Sequence, residues 1–336
     1  MTPDRFSAWI ETELGLNNAE LGPRLGGGNS NVTQLVWHEH GKAVLRRPPD
    51  NAISSSAAAG VLREYSMLKA LQGHVKVPRV LGLCEDISIL GQAFSIIEHV
   101  DGVAITDTLP SAYPSDVETL NRIGEQLVDE LAKLHTAPWQ QMGIRHPTDP
   151  DDYVLKQIRR WRKLRSEQRA RDLPLIERLA DWLLAHLPPP PPASLMHGDY
   201  HLDNTLFSKT DVSLAAIIDW ELASVGNPYA DLALMLAFWG SRSVEPPGFA
   251  FVQHVTRGPV GLVSRMALAS RWAESTHLDV KQLDYYLVFA LWRLASIVEG
   301  AYLLYTQGLV DTDYAKKLEY DVPALLSEAA HLAHLD

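Results

Sequence analysis

The chain has 336 residues, 46% of them hydrophobic and 21% charged, enough to bury a large core and to divide into two lobes. Its net charge of -11 argues against general nucleic-acid binding, which needs a basic surface against phosphates. Cys84 is the single cysteine, which excludes an internal disulfide and a thiolate metal cluster.

The first residues carry no secretory signal, and apolar runs such as Leu232 to Trp239 are too short to span a bilayer. A cytoplasmic protein without a membrane or nucleic-acid partner is the expectation. Phe6, Trp9, Ile10 and Leu14 fall at helical spacing, and Gly15 ends that helix. Leu25 to Asn31 form a glycine-rich turn before a strand from Val32 to Trp37. His40-Gly41 then turns the chain into Lys42 to Arg46, and Pro48-Pro49 stops it. Such a glycine-rich turn either brings backbone N–H groups to phosphates or is a plain tight hairpin; no Walker-type P-loop is present. Ala57 to Leu71 read as a helix on which Glu64 either reaches Arg46 or faces water. Val77-Pro78 opens a strand, and Ile87 to Leu90 with Ala93 to Ile97 read as a hairpin turning at Gly91. Glu98 to Gly102 connect this first lobe, residues 1–100, to a second lobe, residues 101–336.

The second lobe reads as helical: Val117 to His135 with Ser115 as N-cap, Lys156 to Arg171, and Leu175 to Leu187, ended by the prolines 188–192. Lys156 to Arg171 hold eight basic residues against one acid, Glu167. That run is either a solvated face or the sign of an anionic substrate. Farther on, Asp231 is expected to cap a helix from Leu232 to Trp239. Gly240 to Pro259 read as irregular, and helices are predicted over Val260–Thr276, Val280–Gln307 and Asp311–Leu335. Trp239, Trp272, Tyr285, Trp292, Arg293 and Tyr302 are candidates for a pocket wall, against the alternative that such aromatics are core.

Between these halves, Leu195 to Trp220 concentrate the chemistry. Short apolar runs there end in polar residues, which reads as buried strands delivering side chains to a site. His197-Gly198-Asp199 and Asn204 follow the pattern H-x-D-x-x-x-x-N, in which the Asp accepts a hydroxyl proton and the Asn holds a metal. Asp219, fifteen residues after Asn204, adds a carboxylate at a strand end. Phosphoryl transfer needs this set, because metal ions and a cation must neutralise the phosphates while a base orients the nucleophile. A metal-dependent hydrolase is the competing reading, since His197, Asp199 and His201 alternate and could share one face.

The motifs resemble those of the aminoglycoside-phosphotransferase-like kinases, a family with an α+β, bilobal, protein-kinase-like fold. HGDYHLDNTLF is similar to their catalytic loop and IIDWELASVGNPYADLA to their metal-binding segment. LGGGNSN is similar to the phosphate-covering hairpin, REYSMLKAL to the helix with the paired Glu, and LAKLH to the helix before the catalytic loop. The resemblance implies ATP and Mg²⁺, with Asp199 as base and Asn204 and Asp219 as metal ligands. It assigns Gly28, Ser30, Asn31, Arg46 and Glu64 to the nucleotide phosphates, Glu98 and Val100 to an adenine-holding hinge, and Asp231 to bracing the loop. Two departures stand out: Arg46 replaces the usual Lys, and Asn31 replaces a third glycine, which implies a shorter, stiffer hairpin. An inactive nucleotide-binding pseudokinase is the alternative that such departures raise.

VLRRPPDNAISSSAAAGVLREYSMLKAL and VPRVLGLCED resemble the branch fused to or associated with acyl-CoA dehydrogenases. That branch implies phosphorylation of a hydroxyl on a hydroxyacyl substrate, often a CoA thioester, and functional association with such a dehydrogenase. An aminoglycoside or amino-alcohol (choline-like) kinase is the alternative within the family.

Overall fold

A computed structural model describes residues 5–25, 31–49, 55–146, 149, 152–240, 254–257 and 259–335, with only the backbone for 55–59. Helix α1 (Arg5–Leu14) buries Phe6 and Ile10 and stops at Gly15, whose φ of 66° ends the helix without strain. Strands β1 (Glu20–Arg24), β2 (Val32–His38) and β3 (Gly41–Arg47) follow. Strand β1 is not legible in the sequence: its ELGPR segment has no alternation, and Pro23 is tolerated because the strand lies at a sheet edge. Helix α2 (Ser55–Leu71) then leads to β4 (Val80–Cys84), the short helix α3 (Ile87–Leu90) and β5 (Phe94–Glu98). The predicted hairpin at Gly91 is thus corrected. The Asp86 side chain accepts from Ser88 N–H and Gly91 closes the turn in the left-handed region, so Ile87–Leu90 is helical and β4 pairs with β5.

The strands form an antiparallel sheet in the order β1-β2-β3-β5-β4. Alternation along β3 and β5 divides its side chains between two cores. Leu45 and Ile96 join Phe6, Ile10 and Phe94 on the α1 side. Val44 and Ile97 join Leu68 and Leu71 of α2, and that second core runs without a break into the helical lobe.

In that lobe α4 (Val117–Thr136) is capped by Asp116, whose carboxylate accepts the Thr119 N–H, and not by Ser115. Helix α5 (Tyr153–Glu167) ends before the predicted Arg171 and buries Val154, Ile158 and Arg165. Next come α6 (Pro174–Ala185), β6 (Ser194–Met196), β7 (Thr205–Phe207), β8 (Leu214–Ile217) and β9 (Ser224–Gly226), with β6 paired to β9 and β7 to β8. Helix α7 (Pro228–Phe238) is buried throughout and is capped by Asn227, which leaves Asp231 inside its first turn for another task. Helices α8 (Arg265–Thr276), α9 (Leu283–Thr306) and α10 (Asp313–Leu332) complete the lobe. By length and hydropathy α9 alone among the described residues could cross a membrane, a match the sequence reading passed over. Here it is a core helix, packed against α6, α7 and α10, with Glu299 buried on it.

Gly124 of α4 lies under Trp239, where an added Cβ would stand 2.7 Å from the indole. Gly124→Ala should therefore cost about 1–2 kcal/mol, the overpacking penalty less the gain in helix propensity. A lower urea midpoint at unchanged m-value checks this.

Candidate active site

The loop after β6 is held on three sides. Gly198 adopts a φ of 88°, and a Cβ there would lie 2.5 Å from the Leu222 carbonyl, so both conformation and space require glycine. Asp231, 1% exposed, accepts the backbone N–H of His197 at 2.6 Å and that of Gly198 at 2.9 Å. The His197 ring meets the Ile218 carbonyl through Nε2 at 2.8 Å and lies edge-on to Trp220, while the Tyr200 hydroxyl donates to the Leu127 carbonyl. Behind Asp231, His135 accepts the Trp272 indole N–H on Nδ1, so its proton sits on Nε2, 3.6 Å from Asp231 Oδ2.

This frame presents Asp199. Asn204 Nδ2 donates to its carbonyl at 2.9 Å and to its Oδ2 at 3.1 Å, and His201 Nε2 lies 3.6 Å from the same oxygen. Burial pushes the Asp199 carboxyl up, but the hydrogen bond and charge of His201 bring it below the ordinary carboxylate value. His201 itself stacks on Phe238 with ring centroids 4.7 Å apart. The Ile218 N–H donates to the Asn204 carbonyl at 2.9 Å, which sets Asn204 beside the turn that carries Asp219. Asp219 is left-handed, with φ 65° and ψ 60°, a conformation seldom held outside glycine unless the surroundings fix it.

Arg46 is what fixes it. Its guanidinium reaches Glu64 of α2 at 2.8 and 3.2 Å and Asp219 at 2.9 Å, with Thr33 as a further acceptor. Burial pulls the Arg46 pKa down, but the two carboxylates outweigh it and hold it above its ordinary value. Arg46, Glu64, Glu98, Val100, Asn204 and Asp219 line one interlobe cleft of about 490 Å³. Glu98 and Val100 stand where the chain crosses between lobes, the Glu98 carboxylate being taken by the Arg79 backbone N–H and Nε. Asn31 also lines the cleft and donates to Glu221 at 2.8 Å, joining the hairpin to the turn after Asp219. Gly28 and Ser30 lie outside the described residues.

The alternating His197, Asp199 and His201 do not converge, because His197 is turned to Ile218 and is fully buried. No cluster of three or more His, Cys, Asp or Glu able to hold a metal occurs among the described residues. Most of the predicted pocket wall is core. The indoles of Trp239, Trp272 and Trp292 donate to Val263, His135 and Ile176, and the Tyr285 hydroxyl to Leu183. Tyr302 lies under the Arg171 guanidinium, 4.1 Å away. Arg293 alone of that set reaches the loop, with Nη1 3.5 Å from the Gly198 carbonyl. Thr33, Glu221 and His135 were given no role in the sequence reading, since their contacts join residues more than ten positions apart.

The profile of a phosphotransferase enzyme family matches residues 22–261, which include the loop, the Asp219 turn and Arg46. The chain belongs to that family. By that match it is a phosphotransferase. A putative aminoglycoside phosphotransferase from Ralstonia eutropha superposes with a TM-score of 0.82 at 26% identity, covering 98% of this chain and 97% of its own. A macrolide 2'-phosphotransferase from Brachybacterium faecium shares the fold at a TM-score of 0.60 and 17% identity, covering 96% and 98%. Among curated relatives, mouse acyl-CoA dehydrogenase family member 10 is 32% identical over 82% of this chain, and chicken family member 11 is 28% identical over 91%. The chain spans only 26% and 39% of those two proteins. The bilobal kinase-like architecture read from the motifs stands.

Removing the Asp231 carboxylate strands two buried N–H groups. Asp231→Ala in this phosphotransferase should lose about 2–5 kcal/mol of stability, read by chemical denaturation.

Proposed function

We propose that this protein transfers the γ-phosphoryl group of ATP to a hydroxyl of a small anionic acceptor of the hydroxyacyl class. The observation that carries the reading is the convergence of Arg46, Glu64, Asn204 and Asp219 on one cleft, with Asp199 hydrogen-bonded to Asn204 at its edge. Asp199 takes the acceptor's proton as the hydroxyl oxygen bonds to the γ-phosphorus and the bond to the β,γ-bridging oxygen breaks. Its depressed pKa keeps the base form present across the neutral range. Arg46, fixed by Glu64, gives the phosphates a directed guanidinium where kinases commonly use an ammonium. The Glu98 and Val100 backbone holds the base.

Magnesium fits the donors present. Asn204 turns its Nδ2 to Asp199 and so leaves its amide oxygen for another partner, and Asp219 gives Arg46 only Oδ1. Both are hard oxygen ligands. The ion, when bound, neutralises charge on the transferring phosphates.

Two observations favour an anionic acceptor. Arg293 approaches the loop carbonyl at the limit of hydrogen bonding, acts on Asp199 through its charge, and keeps a buried Nε without a partner. The relatives named as acyl-CoA dehydrogenase family members match across most of this chain, which supports an acyl substrate and functional association with such a dehydrogenase. A phosphate ester leaves more readily than hydroxide, so phosphorylation would prepare a hydroxyacyl chain for elimination. The basic run on α5 carries less weight than its composition suggests. Arg162 is paired with Glu177 and Asp181, Lys163 with Glu167 and Arg171 with Glu299, while Arg165 is buried.

Asp199→Asn should lower kcat by about 10²–10⁴ while calorimetry shows nucleotide affinity little changed; an active variant removes Asp199 from the base role. Turnover compared on a hydroxyacyl-CoA thioester and on an aminoglycoside decides the acceptor class. Preference for the aminoglycoside would refute the anionic reading. With the thioester, Arg293→Gln should raise KM several-fold more than it lowers kcat, as expected when a charge-assisted contact to the ground state is lost.

A further inference from the structure

One buried cation plays no part in the site above. Arg165, in the last turn of α5, is 5% exposed, and its Nε and Nη1 are buried without a hydrogen-bond partner. The carboxylate that acts on it electrostatically, Glu299, is already held by Arg171 at 2.9 and 3.3 Å. Arg171 is further fixed by the carbonyls of Glu319 and Leu318 at 2.6 and 2.8 Å. Glu177, a second carboxylate nearby, is held by Arg162 at 2.8 Å. A desolvated guanidinium with open donors is costly unless an acceptor reaches it.

Arg165, Arg169 and Arg171 line a recess of about 50 Å³, bounded also by Leu173 and Pro174 at the start of α6. That helix runs for 12 residues without a side-chain cap, but it opens on Pro174, which has no N–H, and the Ile176 N–H is taken by the Leu173 carbonyl at 3.0 Å, so its start serves as a wall of the recess and not as a donor. Glu299 and Glu177 also line the recess, but each is engaged by its own arginine, and Asp172 on the rim is exposed. Gly300 of α9 lies beside the guanidinium, where an added Cβ would make ordinary contact with Arg165 Nη2 at 3.5 Å.

We propose that this recess binds a tetrahedral oxyanion, a phosphate or phosphoryl group, between Arg165 and Arg169, with Arg171 and the start of α6 as its walls. The group is either free inorganic phosphate or a phosphate carried at the far end of a larger ligand. The second source is within reach. Along α9, Gly300 beside Arg165 follows Arg293 beside the catalytic loop by seven residues, two turns on the same face and about 10 Å. The site itself does not depend on the reading of the interlobe cleft.

The test uses the full chain and inorganic phosphate, followed by thermal unfolding and calorimetry. Wild type should show a saturable rise in Tm with phosphate, and Arg165→Met should abolish it. Arg169→Gln, at an exposed position, gives a second reading should Arg165→Met fold poorly: its phosphate affinity should fall about tenfold, the scale of one charge-assisted hydrogen bond. No saturable response in wild type, or an undiminished one in both variants, overturns the proposal. A second arm separates the sources by comparing KM for a phosphate-bearing acceptor with KM for its phosphate-free truncation. If Arg165→Met raises only the former, the recess holds the tail of the substrate. If neither KM moves while phosphate binding is lost, the recess takes free phosphate.

Discussion

A buried guanidinium between two carboxylates holds this molecule's cleft together. Arg46 comes from the sheet, Glu64 from the helix above it and Asp219 from the turn below, and no two of the three are neighbours in sequence. Burying one cation between two anions is tolerable only because the hydrogen-bond geometry is good on both sides. The contact also explains the left-handed backbone at Asp219, which has little reason to persist without a partner to hold its side chain. An arginine suits this bridge better than a lysine, because its planar fork meets two carboxylates in fixed directions.

A second support lies beneath the first. Asp231 accepts two successive N–H groups at the point where Gly198 bends the chain, and His135 and Trp272 close the space behind it. The loop is therefore held through its backbone, which leaves Asn204 free to line the cleft and to bond Asp199 behind it. Hydrogen bonds inside the loop, from Asn204 to Asp199, complete the arrangement without recruiting any group from the small lobe.

Much of this was legible in the sequence, and for a physical reason. The loop and the Asp219 turn are local, so residue type and spacing picked out Asp199, Asn204 and Asp219 as a set, and the fold brings Asn204 and Asp219 to one cleft with Asp199 bonded to Asn204. For Glu64 the sequence left two readings, a partner for Arg46 or a carboxylate facing water, and the fold supplies the first. What could not be read depends on contacts between distant segments. Glu221 and Thr33 acquire roles only from partners elsewhere in the fold. The aromatics expected around a pocket have the same helical spacing whether they face a ligand or a core, and here buried indole hydrogen bonds settle them as core. Cap positions at Asp116 and Asn227 moved by one to four residues, because Ser115 and Asp231 are equally good caps by composition. The basic run was legible only in part: composition counts charges, whereas the fold pairs Arg162 with Glu177 and Asp181 and Arg171 with Glu299, and buries Arg165.

The unbroken core beneath the sheet has a consequence for how such a protein can be combined with others. Val44, Leu68, Leu71 and Ile97 belong to the same apolar body as the helical lobe, while the α1 side of the sheet keeps only its own small cluster. Cutting at the crossing between lobes would leave half the sheet's apolar surface facing water, so the smaller lobe has no independent existence as a folding unit. The transferable piece is the pair of lobes taken whole. Longer relatives follow that rule: their likeness runs through 82% and 91% of this chain and occupies a minority of their own length.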